Sequence, residues 1–279
     1  MKQLKYVNTQ GQEIDFRQFN TQVYQAGFHA YTWTYEGTEQ LFGSTIDRFG
    51  KGTLEYEMTV AVRGADKEDS LNKITEITEY DIVNNKQGRL WWGGYYLDCN
   101  IISATTVPSE VFFGAERTLG ILAPYPFWIK EMTRQFYPEG SGSGGDKGTF
   151  LDYPFDYPFD YSAPVAGAEI WETGHYSQSE FQMTIFGPCE NPRILINNYP
   201  YEIYDTLESG EYLIIDSRAN PMPTVTKYRT NGTTVSLFDN RAKVQSVFNP
   251  IPGGNLTVNW NATFGFNLTL YAERSEPAW

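Results

Sequence analysis

Leu54-Glu55-Tyr56-Glu57-Met58-Thr59-Val60-Ala61-Val62-Arg63 alternates with a period of two. Leu54, Tyr56, Met58, Val60 and Val62 fall on one side, and Glu55, Glu57, Thr59, Ala61 and Arg63 on the other. Side chains of an extended chain point to opposite faces in turn, so this is a strand with one buried face. Upstream, His29, Tyr31, Trp33 and Tyr35 share a face of a second strand. Downstream the period lengthens. Leu71, Ile74, Ile77 and the Tyr80-Asp81 turn recur at helical spacing, which predicts a helix over 66–83. Asp66, Glu68 and Asp69 sit where the helix dipole favours negative charge, and Gly88 follows the end. Arg89 to Cys99 then predicts a hairpin turning at Gly93-Gly94, its second strand continuing to Thr106. Residues 111–129 predict a further strand pair, broken by Pro124 and Pro126.

Composition changes after this. Gly140-Ser-Gly-Ser-Gly-Gly-Asp-Lys-Gly148 has the make-up of a flexible linker or loop tip. Asp152-Tyr-Pro-Phe-Asp-Tyr-Pro-Phe-Asp-Tyr161 follows, a four-residue unit repeated. Its prolines forbid a helix and remove donors from one strand side. In an extended chain Tyr153, Phe155, Tyr157, Phe159 and Tyr161 form one aromatic face. The remainder reads as short strands separated by turn signals: 168–171, 180–186, 193–196, 199–204, 211–215, 224–228, 235–237, 256–260 and 264–271. Asn197-Asn198, Asn231-Gly232 and Gly253-Gly254 are the turns. Such spacing without helical periodicity indicates a β-sandwich. The expected division is a mainly β domain with one helix over 1–135, a linker over 136–150 and a sandwich over 151–279.

A chain of 279 residues with 41% hydrophobic residues supports two cores. Aromatic residues reach 16%, a surplus that aromatic-rich cores or interfaces would use. The net charge of −13 and pI near 4.6 argue against nucleic-acid binding, while an acidic wall past which DNA slides stays compatible. Cys99 and Cys189 fit neither a metal signature nor a dense disulfide framework, and read as two free thiols. The N-terminus lacks the apolar stretch of an export signal, and nothing approaches a membrane span. Synthesis in a cytoplasm and no membrane insertion are the expectations.

Chemistry is thinly represented. The two histidines, His29 and His175, leave little room for a triad or a metal site, and His29 reads as structural. Glu169 and Glu172 flank Trp171, the one hint of a glycosidase pair, in a chain with 34 acidic residues. No phosphate loop, dinucleotide fingerprint or zinc-protease motif occurs. No catalytic residue, cofactor or metal is expected, and the chain does not read as an enzyme. Five aromatics on one face would form a patch that monomers avoid, so the repeat is expected to dock on its own domain or a partner. Trp171, Tyr176 and Trp260 are the residues with which the sandwich would contact a glycan.

Several segments in order resemble the distal tail proteins of long-tailed, non-contractile bacteriophages of Gram-positive hosts. They are the β-rich first half with one helix, Gly88-Arg89-Leu90, Gly94-Tyr95-Tyr96-Leu97, the aromatic–proline repeat, Ile251-Pro252-Gly253-Gly254-Asn255 and the closing Arg274-Ser275-Glu276-Pro277-Ala278-Trp279. The resemblance implies an N-terminal ring-forming domain, hexameric around the DNA channel, and a C-terminal galectin-like β-sandwich. It implies a structural virion protein of the tail tip that joins the tail tube protein to the tip hub protein. It further implies a platform for receptor-binding proteins, in line with host attachment, and no catalytic residue. The alternative is a cell-surface glycan-binding adhesin using the sandwich.

Overall fold

The computed structural model describes residues 3–18, 20–109, 114–138, 167–219 and 222–278. The Gly/Ser-rich stretch from Gly140 and the aromatic–proline repeat with Tyr153, Phe155, Tyr157, Phe159 and Tyr161 lie outside them. The described residues are mainly β with one long helix. The chain forms two compact units, one of 1–130 with 273–279, the other of 131–272.

The first unit runs β1 (Leu4–Val7), β2 (Glu13–Asp15), β3 (Arg17–Gln18), β4 (Thr21–Ala26), β5 (Thr34–Glu39), β6 (Ser44–Gly50), β7 (Leu54–Arg63), α1 (Lys67–Val83), β8 (Gly88–Trp92), β9 (Tyr95–Ser109), β10 (Gly114–Ala123) and the start of β11 (Trp128–Phe136). Strands β9, β10, β7, β4 and β3 are hydrogen-bonded in that order, and β8, β1 and β2 follow in turn from β9. The alternation in β7 places Tyr56, Met58, Val60 and Val62 in the core. They pack with Leu4, Tyr6, Phe16, Phe28, Leu90, Leu97, Leu119, Ile121 and Trp128. Helix α1 turns Ile74, Ile77, Thr78 and Asp81 inward, a stripe at i, i+3, i+4 and i+7. The buried Asp81 carboxylate accepts hydrogen bonds from Tyr6 Oη at 2.8 Å, Thr9 N at 3.0 Å and Thr9 Oγ1 at 2.7 Å. Those donors replace the water a buried charge requires. Gly93 and Gly94, at φ 57° and 100°, form the tight turn joining β8 to β9, with Trp92 opposite Tyr95.

The second unit holds the rest of β11, then β12 (Ala168–Glu172), β13 (Glu180–Phe186), β14 (Cys189–Glu190), β15 (Arg193–Ile196), β16 (Tyr199–Glu202), β17 (Thr206–Leu207), β18 (Tyr212–Asp216), β19 (Thr224–Tyr228), β20 (Thr234–Ser236), β21 (Asn255–Trp260) and most of β22 (Phe266–Arg274). One sheet has the order β20-β19-β18-β13-β22, the other β12-β21-β15-β16. Phe181, Met183, Ile185, Leu213, Ile215, Leu268 and Leu270 from the first sheet share one core with Ile194, Ile196, Leu256 and Val258 from the second. This two-layer packing is a β-sandwich. The Asn197-Asn198 turn, at φ 49° and 65°, joins β15 to β16.

One local expectation is overturned. Residues 29–33 are not a strand, and the extended ribbon begins only at Thr34. Phe28 is pulled into the core against Tyr56, Trp92 and Trp128, and Ala30 N–H donates to Gly27 O at 3.1 Å, which turns the chain.

Candidate assembly surfaces

Strands β5 and β6 pair with each other and, among the described residues, with no other strand. Tyr35 stands opposite Phe49 and Glu39 opposite Ser44, closed by a loop in which Gln40 N–H donates to Gly43 O at 2.9 Å. No residue of either strand is buried. Tyr35 and Phe49 are 66% and 64% exposed, and at the tip Leu41 and Phe42 are each 90% exposed. Arg48 forms a two-pronged ion pair with Glu36, at 2.8 and 2.7 Å, but in solvent such a pair contributes little. A two-stranded ribbon is marginal by itself in water. This one carries apolar side chains and, among the described residues, two open edges, the features partners cover.

The root of the ribbon is built differently. Trp33 and Lys51 are the residues next outside its closing pair, Thr34 opposite Gly50. Trp33 meets the Phe127 ring at a centroid distance of 6.0 Å. Lys51 Nζ lies 4.7, 5.5 and 5.7 Å from the ring centroids of Phe127, Tyr31 and Trp33, and donates to Pro126 O at 2.7 Å. Burial pushes the Lys51 amine down to about 8, while the negative ring faces favour the cation and act against that shift. A cavity of about 540 Å³ opens beside the root, lined by His29, Tyr31, Thr53 and Glu55 among others.

The residues singled out for glycan contact do not form one platform. Trp260 is only 7% exposed, and its indole N–H donates to Phe264 O at 3.0 Å. It packs edge-on to Phe136 and Phe266 in the second core. Trp171 is half-buried and also turns toward Phe136. Tyr176 is 79% exposed beside His175. His175 is buried at 7%, and His29 Nδ1 lies 3.2 Å from Glu276 Oε2. Glu169 is held by Arg134 at 2.7 Å, and strand alternation sends Glu172 to the other face of β12. Both cysteines are free: Cys99 is buried, and Cys189 is half-buried against the second core. Burial raises both thiols, Cys189 to about 11. No cluster of metal-binding side chains occurs among the described residues. No helix among them is long and apolar enough to cross a membrane. The ribbon and its root escaped sequence reasoning. The signal that could have found the ribbon is the run Thr34–Glu39, in which Tyr35 alone is apolar and no apolar alternation is present.

The chain matches no protein-family model and no curated protein. Solved structures do match. The Dit protein of phage SPP1, described as a paradigm of the hub adsorption apparatus in phages infecting Gram-positive bacteria, superposes with a TM-score of 0.62 at 9% identity. That match covers 98% of this chain and 99% of the SPP1 protein. The fold is that of the phage distal tail proteins. Chains of the phage P2 baseplate in its activated conformation agree, with TM-scores of 0.60 (calcium form) and 0.61 (strontium form). Each is 13% identical and covers 99% of this chain and 100% of its own. At these identities the likeness lies in the course of the backbone.

Proposed function

We propose that this chain is a structural protein of a phage tail tip that acts by assembly and not by catalysis. Its first unit forms a closed ring with other copies, a hexamer through whose lumen DNA passes. The ring joins the tail tube protein to the tip hub protein and carries receptor-binding proteins. The distal tail fold supports this reading, and the ribbon β5–β6 is the observation that carries it. Leu41, Phe42, Tyr35, Phe49 and Ile46 are presented to solvent on an element with no core of its own. A monomer gains nothing from that exposure, whereas a neighbouring copy would bury it. The net charge of −13 suits a channel that lets DNA slide and does not bind it. Light scattering on the purified chain is expected to give about six times the 31.9 kDa monomer mass. A strictly monomeric mass across the micromolar range, with no ring by negative-stain imaging, would overturn the reading.

The adhesin alternative keeps only Trp171 and the exposed Tyr176 as candidate contacts, since Trp260 is spent on the core. Absence of binding in a cell-wall pull-down would remove it.

A further inference from the structure

The ribbon's two legs are held by one loop. Residues 124–127 join β10 to β11, and this loop meets both feet of the ribbon. Phe127 packs on Trp33 at one foot, and Pro126 O accepts from Lys51 Nζ at the other. Tyr125 backs Phe127 at a centroid distance of 5.4 Å and donates from Oη to Glu273 Oε1 at 2.6 Å, so the loop is itself fixed. Among the described residues Lys51 makes no ion pair with a carboxylate; Tyr31 is the titratable side chain facing it, with His29 and Glu55 in the adjoining cavity.

We propose that Lys51 is the positioning residue of the assembly ribbon. Its amine, gripped by three aromatic rings and one backbone carbonyl, fixes the direction in which residues 34–50 leave the first unit, and so whether ribbons of neighbouring copies can engage. A two-stranded element that pairs with no other strand among the described residues can swing about its root. A swinging ribbon must lose that freedom on association, and a fixed one has lost it beforehand. The inference rests on the assembly reading for its consequence, but the grip itself does not.

Two full-length variants test it. Lys51→Met keeps the stem and removes both the charge and the donors, whereas Lys51→Arg keeps them. Hydrogen exchange followed by mass spectrometry is expected to show Lys51→Met exchanging at least several-fold faster than wild type over residues 34–50. The amides of β7 and α1 should be unchanged, and Lys51→Arg should stay near wild type. Self-association of Lys51→Met, by sedimentation velocity, should weaken by at least roughly tenfold. Equal exchange over 34–50 in Lys51→Met and wild type would overturn the proposal. So would loosening in which Lys51→Arg matches Lys51→Met, or normal association by a variant whose ribbon has loosened. Wild type that is monomeric, with its ribbon still protected through Lys51, would sink the ring reading while leaving the grip in place.

Discussion

Lys227 is the buried cation of the second unit, 6% exposed, with Nζ 3.0 Å from both Asp205 Oδ2 and Glu211 Oε2 and also donating to Thr206 O. Burial alone would lower its pKa, but the two carboxylates outweigh that and raise it. The Glu208 backbone N–H and Lys227 hold the Glu211 carboxyl below its usual range. Lys227→Met leaves two carboxylates facing each other without their cation, and should cost about 3 kcal/mol in denaturant unfolding. A carboxyl lowered on folding contributes stability above its unfolded pKa and loses it as pH falls through the folded value. Acid should therefore destabilise wild type more than Lys227→Met below about pH 4.5. The thiols act at the other end of the scale. Their folded pKa values lie above the ordinary 9.0, so their contribution is complete below pH 9 and declines as pH rises toward about 11. Iodoacetamide at pH 8 should label neither thiol in the native chain within the time that labels both in denaturant, because the thiolate is the reactive form. Gly88 shows how tightly the Asp81 site is built. A Cβ there would stand 2.3 Å from Tyr6 Oη and 2.5 Å from Asp81 Oδ2. Gly88→Ala should destabilise by several kcal/mol, roughly the loss of the whole buried network, read as a lowered melting temperature.

Elements differ in how much of themselves they announce. Helix α1 was legible because its buried stripe and acidic first turn are both local. The β8–β9 hairpin was legible because Gly93-Gly94 admits a tight turn between two apolar runs. Strands β13, β15 and β19 fall at the boundaries read from the sequence, since their alternating residues face one core and are bounded by turns. Ribbon β5–β6 was not legible. The aromatic residues at 31, 33 and 35, which lead into it, alternate like a half-buried strand, yet alternation says nothing about which sheet, if any, receives that face. Replacing Leu41 and Phe42 together by Asp removes side chains that touch almost nothing, at 90% exposure each. Monomer stability should stay within about 0.5 kcal/mol of wild type. Self-association measured by light scattering should be lost, and a variant that still assembles would show that the tip lies outside the interface.

At the scale of the molecule, copies carrying −13 each repel one another, while the contact expected between them is apolar. Salt screens the first and leaves the second. Raising ionic strength from about 0.01 to 0.15 M, where the screening length falls from roughly 30 to 8 Å, should shift sedimentation toward the larger species. A shift toward monomer would assign the interface to ion pairs instead. The amino-acid sequence by itself determined the mainly β class, helix α1 and the sandwich strands. These follow from period, turn residues and composition, all of which are local. Only the tertiary structure decided that Trp260 belongs to a core, that Lys51 is gripped by three rings, and that residues 34–50 form a ribbon joined to no other described strand. Burial and partnership depend on which distant segments arrive at the same place, and no local pattern encodes that.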